Sequence, residues 1–109
     1  MTIRFEFIET SAFSTYLPDY LSDEEYTALQ EHLCEAPEAG DLVRGSGGVR
    51  KLRWARAGSG KSGGVRICYY ARTRRGQILM LVIYAKSTRD SLPSHVLKAL
   101  REELENGID

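Results

Sequence analysis

The sequence predicts an α+β fold in which a small antiparallel sheet packs against helices. Helical apolar stripes lie near both ends of the chain, and alternating strand patterns fill its middle. No linker, internal repeat or low-complexity segment divides the 109 residues. A chain of this length forms one modest core, so we treat residues 1–109 as a single domain with the order β-α-α-β-β-β-α.

The first third of the chain predicts one strand and two helices. Residues 2–9 alternate apolar and polar side chains, as a half-buried strand does. A short helix capped near Thr10 should end before Pro18, because proline interrupts a helix. Ser22 and Glu25 have the spacing of a capping box, which predicts the start of a second helix.

Three strands are predicted in the middle of the chain. Residues 40–48 read as a loop, and residues 49–55 and 65–72 alternate as strands. Residues 73–76 form a tight turn into residues 77–86. The apolar continuity of that last segment predicts a strand inside the sheet, covered on both faces.

A last helix completes the predicted fold. It begins at Ser91 or Ser94 and carries an apolar stripe of Leu97, Leu100 and Leu104. An Asn-Gly pair follows the stripe and predicts the helix end.

The net charge of zero conceals an uneven distribution of charge along the chain. Residues 1–40 carry a net charge of −8, residues 41–76 carry +9, and residues 77–109 carry −1. The cations of the middle segment are Arg44, Arg50, Lys51, Arg53, Arg56, Lys61, Arg66, Arg72, Arg74 and Arg75. A cationic strand surface of this kind is suited to a polyanion such as nucleic acid.

The sequence indicates a cytoplasmic protein. Its longest apolar run, residues 78–85, is far shorter than the ~20 residues that span a bilayer. No secretory signal pattern opens the chain. Cys34 and Cys68 lack metal-ligand spacing, so we expect two buried thiols in a reducing compartment.

The tripeptide Gly60-Lys61-Ser62 looks like the end of a phosphate-binding P-loop. The pattern also needs a glycine five residues earlier, where the chain has Ala55, and a helix immediately afterwards. Because the following residues read as a strand, the sequence argues against nucleotide hydrolysis.

RNA can be cleaved without metal when the 2′-hydroxyl attacks its neighbouring phosphate. The reaction needs a base for that hydroxyl, cations for the phosphate, and an acid for the leaving oxygen. His32 and His95 fall on predicted helices away from the basic strands, and no acidic or Cys/His cluster suggests a metal. Lysines and arginines on neighbouring strands are therefore the remaining candidates.

Four residues are the candidates for catalysis. Arg53 and Arg66 are placed to share one face of the sheet and to hold a phosphate. Lys86, at the end of the apolar strand, is the candidate for proton transfer or phosphate stabilisation. Tyr84, two residues earlier on the same strand face, could stack on a base or donate a proton. The candidates for RNA binding are Arg44, Arg50, Lys51, Arg56, Lys61 and Tyr70.

Four segments in this order resemble the RelE/HigB family of toxins from bacterial type II toxin–antitoxin pairs. They are Tyr-Leu-Ser-Asp-Glu-Glu-Tyr from Tyr20, a glycine turn before Arg50-Lys51-Leu52-Arg53, Gly-Gly-Val-Arg-Ile-Cys-Tyr-Tyr from Gly63, and Ile-Tyr-Ala-Lys from Ile83. The resemblance covers the whole chain and is nearest to the HigB-like branch of the RelE/ParE superfamily. Some members carry an arginine and a tyrosine where this chain has Ser87 and, approximately, Pro93.

The resemblance implies a RelE-like microbial RNase fold and ribosome-dependent cleavage of messenger RNA. It also implies a hetero-oligomer with a neutralising antitoxin, expected to be a helix-turn-helix DNA-binding protein. We expect no cofactor, no metal and no membrane contact. The antitoxin could lie on the basic strands or on the acidic first helices, and we favour the helices because their charge otherwise has no role.

Two other functions fit the same sequence. Relatives of the ParE type share this fold and poison gyrase without cutting RNA, and a plain RNA-binding module would carry the same cations. A third interpretation is a structural partner that is inert outside its complex.

Overall fold

The computed structural model describes residues 4–55, 64–86 and 91–108. In these residues a five-stranded sheet has the strand order β1-β5-β4-β3-β2. The elements in chain order are β1 (Glu6–Glu9), α1 (Ser11–Tyr20), α2 (Asp23–Glu35), β2 (Asp41–Leu42), β3 (Arg50–Trp54), β4 (Val65–Arg72), a 3-10 turn (Thr73–Arg75), β5 (Gln77–Ala85) and α3 (Ser94–Ile108).

The predicted α+β class is confirmed, although the sheet is mixed rather than wholly antiparallel. The pairs β2–β3, β3–β4 and β4–β5 are antiparallel. In contrast β1 pairs in parallel with β5, from Glu6 opposite Gln77 to Glu9 opposite Met80. Strand β5 therefore lies inside the sheet as predicted, and β1 covers only its first half.

Helix α1 begins as predicted but runs past its proline. The Thr10 hydroxyl accepts the Phe13 N–H at 3.0 Å and donates to the Leu81 carbonyl at 2.8 Å, so one side chain caps α1 and fastens it to β5. The predicted end before Pro18 is wrong, because α1 continues to Tyr20. Proline lacks the N–H for a helical bond and crowds the carbonyl four residues earlier, but Pro18 lies in the last turn, so only the end of α1 is affected.

The capping box at the start of α2 is confirmed. The Glu25 N–H donates to the Ser22 hydroxyl at 3.1 Å, and the Ser22 N–H donates to the Glu25 carboxylate at 2.8 Å. Two helix-start amides that lack helical partners are thereby satisfied. The helix ends at Glu35, and Ala36 and Pro37 follow it directly.

The predicted loop over residues 40–48 contains a short edge strand, β2, and a tight glycine turn. The buried Ser46 hydroxyl accepts the Val49 N–H at 3.0 Å and donates to the Val43 carbonyl at 2.6 Å. A Cβ at Gly48 would lie 2.9 Å from the Tyr70 ring, and its φ of +105° also favours glycine. Glycine at position 48 thus allows the turn to pack closely against Tyr70.

The two faces of the sheet differ in what covers them. Along β3, β4 and β5 the side chains alternate between the faces, as the strand period requires. The helix-hairpin face packs against α1 and α2 and carries Leu52, Trp54, Val65, Ile67, Tyr69, Ile78, Met80 and Ile83. The basic face lies on the side of α3 and carries Lys51, Arg53, Arg66, Cys68, Tyr70, Arg72 and Tyr84.

The ends of the last two elements differ slightly from prediction. Strand β5 ends at Ala85, so Lys86 lies in the turn that follows the strand. Helix α3 starts at Ser94 and continues through the Asn-Gly pair to Ile108. The segment after Gly64 is a strand rather than a helix, which agrees with the argument against a P-loop.

Candidate nucleic-acid interface

Two arginines and a tyrosine form one row across the basic face. Arg53 of β3 lies opposite Arg66 of β4, and Arg66 lies opposite Tyr84 of β5. Neighbouring strands are about 4.8 Å apart, so the two guanidinium groups leave the sheet side by side. The prediction that Arg53 and Arg66 share a face is confirmed, and their spacing suits a single phosphate or two adjacent ones.

Exposure falls along this row from β3 to β5. Arg53 is exposed, Arg66 is half-buried, and Tyr84 is only 6% exposed. Tyr84 packs in a cluster with Leu81 and with Leu97 of α3. Arg53, at the cationic end of the row, therefore faces solvent. Tyr84, at the aromatic end, is covered by the cluster that includes Leu97 of α3.

The next row contains Lys51, Cys68 and Val82. Lys51 is half-buried and extends the cationic strip along β3. Burial raises the pKa of the Cys68 thiol to about 11, although the Lys51 charge opposes the shift. The thiol is therefore protonated at neutral pH and is not a nucleophile. Cys34 is buried as well, which confirms the prediction of two buried thiols.

Lys86 lies one residue beyond the end of β5, although the predicted strand included it. The last pair of the β4–β5 ladder joins Val65 to Ala85, and Lys86 is exposed in the following turn. The prediction that the strand includes Lys86 is therefore wrong. Its role in proton transfer stays a prediction.

Arg50 and Tyr70, both predicted to bind RNA, make contacts within the protein. Arg50 does not belong to the basic face, and its guanidinium donates to the carbonyls of Glu38 at 3.3 Å and Gly40 at 2.8 Å. Tyr70 is on the basic face, but the Arg101 guanidinium lies 4.8 Å from its ring centre. Arg50 thus fastens the loop before β2, and Tyr70 anchors α3.

The remaining predicted RNA-binding residues lie at the rim of the site or outside the described residues. Arg44 is exposed in the turn between β2 and β3. Arg56 and Lys61 belong to residues 56–63, which the structure does not describe.

A charged network between α3 and β4 was not predicted from the sequence. Glu105 contacts Arg101 at 2.6 Å and Arg72 at 3.4 Å, while Arg101 also lies 3.8 Å from Glu102. The i, i+4 spacing of Arg101 and Glu105 could have indicated their pair. The link to Arg72 could not have been found, because it depends on how α3 crosses the sheet.

Neither histidine joins the basic face. His32 of α2 lies against Trp54 on the opposite side of the sheet, with ring centres 5.3 Å apart. His95 is exposed near the start of α3.

Among the described residues, no group of three or more His, Cys, Asp or Glu could hold a metal ion. No helix formed by these residues combines the length and apolar character needed to cross a membrane.

No protein-family model matches the chain. Among solved structures, the chain is similar to the toxin RelE of E. coli in its free state, determined as a double arginine-to-alanine mutant. The superposition has a TM-score of 0.56 and 14% sequence identity, and it covers 100% of both chains. The protein therefore has a RelE-like fold over its whole length.

Proposed function

We propose that the protein is the toxin of a type II toxin–antitoxin pair, of the HigB-like branch, and that it cleaves messenger RNA on the ribosome. The observation that carries the proposal is the row of Arg53, Arg66 and Tyr84 on the basic face of a RelE-like fold. The row offers two guanidinium groups at phosphate spacing next to an aromatic side chain. A sheet rather than a loop positions them.

The arginines are suited to binding phosphate but not to moving protons. Arginine stays protonated in proteins, so Arg53 and Arg66 would stabilise the charge that develops at phosphorus. The base for the 2′-hydroxyl and the acid for the leaving oxygen must come from other groups. Lys86, exposed at the end of β5 beside Tyr84, is our candidate for proton transfer.

The acidic helical hairpin is our candidate surface for the neutralising partner. Helix α2 begins with Asp23, Glu24 and Glu25, and Asp19 is exposed on α1. This hairpin covers the opposite side of the sheet from the arginine row. A helix-turn-helix antitoxin bound there would leave the basic face open, and messenger RNA and the ribosome would be the partners of the basic face. The cytoplasm is the compartment that this function requires.

A second function, poisoning of gyrase or simple RNA binding without cleavage, is favoured by one specific observation. Tyr84 is almost fully covered, and the exposed members of the row are arginines. Such a row binds phosphate without supplying proton transfer.

Expression of the full chain from a tightly repressed promoter separates the two functions. Growth arrest with transcripts cut in a fixed phase of the reading frame supports cleavage on the ribosome. Growth arrest with intact transcripts and an induced DNA-damage response contradicts it and supports the gyrase hypothesis. Normal growth on expression contradicts both and favours an inert structural partner.

A further inference from the structure

A cavity of about 310 Å³ adjoins the aromatic end of the arginine row. The described residues that line it are Ala12, Tyr16 and Tyr20 of α1, Val82, Ile83 and Tyr84 of β5, and Leu92 before α3. Ala12, Tyr16 and Tyr20 are spaced four residues apart, so they line one face of α1. Tyr16 is 54% exposed, an unusual exposure for a large aromatic side chain, and it stands at the cavity mouth.

The sheet topology explains why a cavity exists at this point. Strand β1 pairs with β5 only as far as Met80, where the chain leaves the sheet at Thr10 and turns into α1. Val82 and Ile83 therefore lie beyond the last residue that β1 covers. Helix α1 contacts β5 beyond this point, and residues of both elements line the cavity.

We propose that this cavity binds one nucleobase of the RNA whose phosphates lie on Arg53 and Arg66. The inference rests on the proposed function and adds to it a second contact surface, formed by α1. Tyr84 lies opposite Arg66 in the sheet and also lines the cavity, so the cavity adjoins the β5 end of the arginine row. A nucleotide crossing the row toward β5 would bring its base to the cavity mouth while its phosphate stays on the arginines.

The chemistry of the wall favours a base over other ligands. Among the residues that the structure describes, the seven that line the cavity carry no charge, and such a wall favours a neutral part of a ligand. Tyr16 is exposed and Tyr20 is half-buried, so both can present a ring to the cavity, and aromatic rings stack on the flat face of any base. The volume is near the lower limit of small-molecule sites, which suits one planar group better than a longer peptide segment.

The test uses the purified full chain and short single-stranded RNAs at low salt. One RNA series carries a single abasic nucleotide at each successive position, and a second series carries 2-aminopurine at those positions. The variant Ala12→Trp fills the cavity from an exposed site, and Ala28→Trp makes the same change at an exposed site on α2. Binding is measured by fluorescence titration.

We expect one abasic position to weaken wild-type binding by about 5- to 150-fold, the range for losing one stacked base. 2-Aminopurine should be quenched at that same position. Ala12→Trp should bind intact and abasic RNA equally, at the wild-type affinity for abasic RNA, whereas Ala28→Trp should behave as the wild type does.

Three other outcomes overturn the inference. Equal wild-type binding to every abasic RNA removes the base pocket but leaves phosphate binding intact. No wild-type binding to any RNA removes the pocket as a binding site for a base of free RNA, whereas the proposed function is judged separately by transcript cleavage on expression. If Ala12→Trp binds RNA normally but is no longer neutralised by the product of the neighbouring gene, the cavity belongs to a protein partner.

Discussion

The helix-hairpin face and the basic face are built by the same strands, yet they differ in how far their polar side chains are buried and paired. On the helix-hairpin face, polar side chains find partners inside the protein. The buried Tyr69 hydroxyl donates to the Pro37 carbonyl and accepts the Gly40 N–H, each at 2.9 Å. The Tyr26 hydroxyl donates to the Glu9 carboxylate at 2.6 Å. Burial raises the pKa of both phenols, so both act as neutral donors.

The basic face has a charged border that α3 does not cover. Leu97 packs over the β5 side of this face, while Arg53 at the β3 side stays exposed. The difference teaches that changes on the helix-hairpin face should act through folding, whereas changes in the arginine row should act through a ligand.

The largest expected effect is that of Arg66→Ala on toxicity. Removing one preorganised donor from a phosphate site typically costs about 10²–10³ in rate. We therefore expect loss of growth inhibition with an unchanged melting temperature and unchanged binding of the neutralising partner. Arg4→Ala is the matched control, since Arg4 is exposed and precedes β1. Full toxicity of Arg66→Ala would remove the arginine row from the mechanism.

Substitution of Lys86 tests whether the basic face moves protons or only binds charge. Lys86→Ala should abolish growth inhibition without affecting folding, because the side chain is exposed. Lys86→Arg should restore little toxicity if lysine transfers a proton, since arginine stays charged, and much of it if positive charge suffices. Growth assays measure the toxicity of both variants, and circular dichroism checks that they fold. A fully toxic Lys86→Ala protein would move the assignment to Arg53 and Arg66.

Local patterns predicted most of the elements. The period-2 alternation of Val65 to Arg72 gave β4 with its observed bounds, and it also gave the faces on which Arg66 and Cys68 lie. The parallel pairing of β1 could not be predicted, because pairing partners depend on contacts distant in the chain. The course of α1 past Pro18 depends likewise on packing, which outweighs the local preference of proline.

The site could be predicted only where residues share a strand or face each other in register. Arg53 and Arg66 were found because adjacent strands with known alternation bring them together. The cavity beside Tyr84 was not found, since it arises from the end of β1 and the position of α1 rather than from any sequence pattern. For the same reason, the contact of Arg101 with Tyr70 had no signal in the sequence.

On the helix-hairpin face, Tyr69→Phe should lower stability without changing toxicity. The variant keeps the buried ring but leaves the Gly40 N–H without the acceptor that it has at 2.9 Å. An unsatisfied buried amide costs about 1–3 kcal/mol in the free energy of unfolding, measured by urea titration. Tyr16→Phe, at an exposed hydroxyl, is the control and should be neutral in this assay. A loss of toxicity in a folded Tyr69→Phe protein would contradict the separation of the two faces.

The smallest expected effect concerns the border between α3 and the basic face. Glu105→Gln keeps the shape of the side chain but removes the charge shared by Arg72 and Arg101. Since Glu102 remains 3.8 Å from Arg101 and the amide still accepts a hydrogen bond, we expect a loss of only about 1 kcal/mol in the free energy of unfolding. The released positive charge should strengthen RNA binding less than tenfold, and salt should screen the gain. Glu103→Gln changes the net charge equally from an exposed position on the same helix. If it strengthened binding as much, the gain would reflect total charge rather than the basic face.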